Sequence, residues 1–86
     1  MEYRAYYRKA AEKYLDSQSR SNQVRIIDAI DKFPDGDITK LKGRDGYRLT
    51  IGGFRVLFDL TDEVTEDGKM IIDIVAIGPR GDIYKK

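Results

Sequence analysis

Apolar positions alternate with polar ones most regularly over residues 46–58, GYRLTIGGFRVLF. Two runs of period two flank Gly52-Gly53, a pair that tolerates the positive φ of a two-residue hairpin turn. Strands are therefore predicted at 47–51 and 54–60. A two-residue loop pairs Ile51 with Phe54, Thr50 with Arg55, Leu49 with Val56, Arg48 with Leu57 and Tyr47 with Phe58. Side chains of a strand alternate between faces. One face then carries Tyr47, Leu49, Ile51, Phe54, Val56 and Phe58, and must meet the rest of the core. The other carries Arg48, Thr50, Arg55 and Leu57.

The remaining segments read differently. The Tyr-rich YRAYY, 3–7, is predicted as a short strand. In 8–16, Ala10, Ala11, Tyr14 and Leu15 make one helical stripe. SQSRSN interrupts, and Ser21 is the expected N-cap of a second helix over 22–33. That helix offers two adjacent apolar rows, Val24-Ile27-Ile30 and Ile26-Ile30-Phe33. The two segments form either a helical hairpin or one longer bent helix. FPDGD, 33–37, is a stop. Residues 38–46, ITKLKGRDG, read as a basic connector. The run MIIDIVAI within a last strand, 70–77, is nearly all apolar, as expected of an internal strand. Asp67-Gly68 supplies the turn before it. The expected fold is α+β, an N-terminal strand and helical hairpin packed on one face of an antiparallel β-sheet, in one domain over 1–86.

Composition narrows the chemistry. The chain has 86 residues with no cysteine and no histidine. Disulfides, Cys-ligated zinc and Ser-His-Asp or Cys-His catalysis are excluded, and no metal or cofactor is expected. No apolar run nears the ~20 residues of a membrane span, so a soluble, cytoplasmic protein is expected. The acids in DEVTEDGK do not fall at the spacing of a calcium loop, and GRDGYR lacks the ending of a phosphate-binding P-loop.

Net charge is +1, yet residues 59–78 carry six acids against one lysine, which leaves the rest of the chain mildly basic. On the hairpin, Arg48 and Arg55 are diagonal neighbours, roughly 7–8 Å apart. Two like charges so placed repel unless an anion lies between them. Either they point into water or pair with acids such as Asp59 or Asp73, or they form an anion or phosphate site.

GDITKLKGRDGYRLTIGGFRVLFDL followed by IVAIGPRGDIYKK resembles the RelE/ParE superfamily of type II toxins, and YRKAAEKYL and RIIDAIDKFPDGD resemble its helical hairpin. The resemblance covers nearly the whole chain. It implies a toxin silenced by a cognate antitoxin protein, a toxin–antitoxin heterotetramer being one assembly it admits. RelE-like members are ribosome-dependent endoribonucleases that cleave mRNA and inhibit translation. ParE-like members share the fold and poison DNA gyrase, and a non-catalytic relic that only binds antitoxin is a further alternative. By position, Arg48, Arg55, Arg80 and Tyr84 match the catalytic residues of the RelE-like branch. Lys40, Lys42 and Arg44 are candidate RNA-phosphate contacts. Thr50 stands where the RelE-type nuclease has a second strand lysine, and Pro79 where many members have His or Lys.

Overall fold

The computed structural model describes residues 2–79. Its elements are β1 (Tyr3–Tyr7), α1 (Lys9–Asp16), α2 (Arg20–Asp31), β2 (Asp37–Lys40), β3 (Tyr47–Ile51), β4 (Phe54–Val64) and β5 (Met70–Pro79). The strands form one sheet in the order β1-β5-β4-β3-β2. β1 and β2 are its two edges, so the helices between them in sequence must cross a whole face of the sheet. That crossing makes β1 run parallel to β5, while every other pairing is antiparallel. The architecture is the expected α+β sandwich, with the parallel edge as the difference.

The helices form a hairpin. Ser17 closes α1, its hydroxyl donating to the Tyr14 carbonyl at 2.6 Å. Ser19, not Ser21, caps α2 by accepting from the Asn22 N–H at 3.2 Å. SQSRS offers three serines of equal capping preference, and only the tight connection between the helices selects among them. The helices bury Ala11, Leu15, Ile26 and Ile30 against the sheet. Of the two candidate rows on α2, the Ile26-Ile30-Phe33 row faces the core, and Val24 and Ile27 are exposed.

The hairpin strands present Leu49, Ile51, Val56 and Phe58 to the same core, with Tyr47 and Phe54 packed at its margin. An aromatic chain ties the layers together. Tyr3 meets Phe33 edge-on at 4.7 Å, Phe33 meets Phe58 edge-on at 5.4 Å, and Phe58 stacks on Tyr47 at 5.6 Å. Burying a ring such as Phe58 contributes about 2–3 kcal/mol through its area alone, and such pairs add roughly 0.5–1.5 kcal/mol each.

Two segments depart from expectation. The first residues of the presumed connector are β2, paired Ile38 with Leu49 and Thr39 with Arg48. Their polar, exposed pattern is that of an edge strand, legible only once β3 is beside it. β4 also runs to Val64, beyond 60, because Val64 pairs with Met70 across a register shift. The turn that follows contains Asp67-Gly68, as expected, with Gly68 at φ 86° and its N–H donating to the Thr65 carbonyl at 3.0 Å.

Candidate anion-binding face

The hairpin turn sets the site. Gly52 has φ 55°, and Gly53 is not in the positive region, which is the type II′ pattern. The resulting register is Tyr47–Phe58, Arg48–Leu57, Leu49–Val56, Thr50–Arg55 and Ile51–Phe54. Cross-strand partners share a face, so Arg48, Thr50, Arg55 and Leu57 all stand on the outer face, away from the helices. The two arginines are diagonal neighbours across β3 and β4.

Arg55 is the unusual member. It keeps only 9% of its surface exposed, and it is the buried charged residue of the core strands. Its Nη1 donates a long 3.4 Å bond to the Phe54 carbonyl. The ion pairs of the described residues do not include it. Burying a guanidinium is costly unless an anion compensates. Its planar fork of donors matches a phosphate or carboxylate bidentately. Asp73 does not serve as that anion. Its carboxylate is held by Arg8, whose Nε donates to both oxygens at 3.0 and 3.1 Å and whose Nη2 donates at 2.7 Å. The pairing explains itself from the register: Asp73 stands directly across from Asp59. Opposed like charges are destabilising, and the Arg8 cation relieves the pair. The carboxylate in turn holds the Arg8 guanidinium above its ordinary pKa.

The other expected site residues are not gathered on this face. Lys40 pairs with Tyr47, an inner-face position, and its ammonium lies over the Tyr47 ring at 5.2 Å from the centroid. Lys42 and Arg44 are exposed in the 41–46 loop, which is closed by the Leu41 N–H donating to the Gly46 carbonyl at 3.0 Å. Gly46 suits this position because its φ of 114° is one that residues with a Cβ rarely adopt. Arg80 and Tyr84 lie outside the described residues. The outer face also carries a group that sequence reasoning passed over: Tyr6, 62% exposed and opposite Asp73. The alternation of YRAYYR held the signal, but which of its faces looks outward depended on the neighbouring strand.

No cluster of three or more metal-ligating side chains occurs among the described residues. Nor is any of their helices long and apolar enough to cross a membrane. No protein-family model matches the chain, and no curated protein does. Among solved structures, it is similar to the archaeal RelE–RelB complex from Pyrococcus horikoshii OT3, with 29% identity and a TM-score of 0.66 over 95% of this chain and 99% of that one. The chain has the RelE-like toxin fold.

Proposed function

We propose that this chain is the toxin of a type II toxin–antitoxin pair, a ribosome-dependent endoribonuclease that cleaves mRNA in the cytoplasm and is silenced by a cognate antitoxin. The likeness to RelE from a RelE–RelB complex supports the toxin and the antitoxin partner. The nuclease reading rests on one observation above others: Arg55 is buried on the outer face, outside any ion pair of the described residues, beside Arg48. A scissile phosphate is an anion that suits such a pair.

The chemistry follows from what the chain has. The ribose 2′-oxygen attacks phosphorus, the bond from phosphorus to the 5′-oxygen breaks, and a cyclic phosphate forms. Arg55, with Arg80, braces the phosphate as negative charge builds in the transition state. Arg48 positions the adjoining backbone. The Tyr84 hydroxyl protonates the departing 5′-oxygen, and the proton released from the 2′-hydroxyl restores the phenol through solvent. Tyr is a sluggish acid at neutral pH, so cleavage of free RNA is slow and the ribosome supplies the positioning. Lys42 and Arg44 on the loop, and Lys40 beside it, contribute sequence-independent phosphate attraction.

Thr50 lies directly across from Arg55, where a nuclease of this type has a lysine. That favours a second reading, a ParE-like gyrase inhibitor that binds protein and cleaves nothing. Induced expression of wild type, Arg55→Ala and Tyr84→Phe, read by translation and mRNA cleavage beside a supercoiling assay, separates the two. Translation arrest lost in both variants supports the nuclease. Arrest that persists in both, or supercoiling inhibition without mRNA cleavage, overturns it.

A further inference from the structure

On the same outer face, six to eight residues along β4 from Arg55 and reaching across β5 to β1, lies a depression of about 230 Å³ lined by Tyr6, Arg8, Thr61, Glu63, Ile71 and Asp73. Strand spacings put its Thr61 wall about 20 Å from Arg55. Its parts are fixed. Thr61 Oγ1 donates to the Ile71 carbonyl at 2.8 Å, and the Glu63 N–H donates to Thr61 Oγ1 at 3.1 Å, which anchors the irregular end of β4 over the site. The Arg8 guanidinium is held flat against Asp73 by three short bonds. Tyr6 stands beside it with most of its ring in solvent.

We infer that this depression binds a single nucleobase of the RNA strand, stacked on Tyr6 and the Arg8 plane, with Glu63 accepting from the base's exocyclic amine. The inference rests on the RNA-cleaving reading above and adds a base subsite to it. The character of the groups decides between base and phosphate. Asp59, Asp73 and Glu63 repel phosphate, and the Arg8 charge is already engaged. An exposed aromatic ring and an immobilised guanidinium are both stacking platforms. A carboxylate accepts from the exocyclic amine of adenine, cytosine or guanine, whereas uracil has no such amine and offers only its N3–H, flanked by two carbonyl oxygens that repel a carboxylate. The volume suits one ring system rather than a larger ligand. At about 20 Å from Arg55, the base held here belongs to a different nucleotide from the one whose phosphate is cleaved. The subsite therefore biases which sequence is placed at Arg55 without taking part in the bond change.

The chain contains no tryptophan, so Tyr6→Trp installs one indole fluorophore at the site. The full-length Tyr6→Trp protein is titrated with hexamers of cytidylate, adenylate and uridylate. In parallel, labelled hexamers measure RNA affinity of wild type, Tyr6→Ala and Arg55→Met. Expected are quenching of the indole fluorescence by the cytidylate and adenylate hexamers at concentrations about tenfold below those needed with uridylate, and loss of that preference in the Tyr6→Trp, Glu63→Gln double variant. Tyr6→Ala is expected to weaken cytidylate binding about tenfold, the size of one base–aromatic stack. Unquenched indole fluorescence together with weakened RNA binding in Arg55→Met overturns the subsite and leaves the RNA face standing. Equal quenching by all three hexamers overturns the amine-selective role of Glu63. RNA affinity unchanged in both Tyr6→Ala and Arg55→Met overturns the subsite and the nuclease reading together. Loss of a co-purifying protein partner in Tyr6→Ala, with RNA affinity intact, overturns it in favour of a protein-docking surface.

Discussion

The two faces of the β3–β4 hairpin come from interleaved residues of the same strands, yet they are buried for different reasons. On the inner face Leu49, Val56 and Phe58 keep at most 3% of their surface exposed, packed among the helices and the aromatic chain. Each gains free energy by being there. On the outer face Arg55 is buried to a similar degree, and folding gains nothing evident from hiding a cation. A stable core therefore explains one face, whereas the other is the face to which we assign the RNA phosphate. Stability and activity should accordingly separate between faces of one hairpin.

The largest expected effect is on the inner side. Phe58→Ala removes the ring that joins Phe33 to Tyr47 and should cost about 3–5 kcal/mol in urea denaturation. A loss under about 1 kcal/mol would mean that the inner face is not the structural one. Arg55→Met keeps most of the side-chain volume but removes the charge. It should lower mRNA cleavage by about 10²-fold, roughly 3 kcal/mol in the transition state, while the urea midpoint holds or rises because a buried charge is gone. A fall in the midpoint comparable to that of Phe58→Ala, with cleavage retained, would erase the contrast between faces. Thr50→Lys adds a cation directly opposite Arg55. Single-stranded RNA binding should tighten, and the slope of log affinity against log salt should steepen by about 0.7; an unchanged slope would place the RNA elsewhere.

The smallest effect sharpens the inner side of the comparison. Tyr7, packed against the core, has its pKa raised from 10.0 to about 12, first by burial and then by the Asp31 carboxylate. Between those values the unfolded chain has released this proton while the folded chain still holds it. Stability contributed by Tyr7 is thus present below pH 10 and is lost as pH rises toward 12. In thermal melts from about pH 9 to about pH 12, wild type should lose stability relative to Tyr7→Phe. Parallel curves for the two proteins would show that the Tyr7 hydroxyl is not held back from ionising.

The parts of the fold legible in the sequence are those governed by local geometry. Period-two alternation on both sides of Gly52-Gly53 determined the register of β3 on β4, because a two-residue turn leaves no freedom to slip without turning apolar residues outward. The same alternation put Arg48 and Arg55 on one face. The antiparallel β3–β4–β5 strands, the two helical segments and the internal position of β5 followed from the length and apolarity of each run, whereas the choice of a helical hairpin over one bent helix did not. What was not legible depends on partners far away in the chain. DITK becomes β2 only because β3 offers it an edge. Val24 and Ile27 lose the core to Ile26 and Phe33 because the sheet meets α2 along one line. Lys40 falls on the inner side, over Tyr47, through the same pairing that makes β2 a strand.

The outer face shows the division most sharply. Sequence alone determined that Arg48 and Arg55 stand together. Tertiary structure decided that Asp73 belongs to Arg8 and not to them, since β5 lies between β1 and β4 and carries Asp73 directly opposite Asp59. It also decided that Arg55 is buried and that Tyr6 is left in solvent beside a fixed guanidinium. Backbone alternation tells which side chains share a face, but only the order of strands in the sheet tells which charges meet across it. Here the strand order takes a carboxylate away from Arg55 and gathers acidic and aromatic side chains at the other end of the same face.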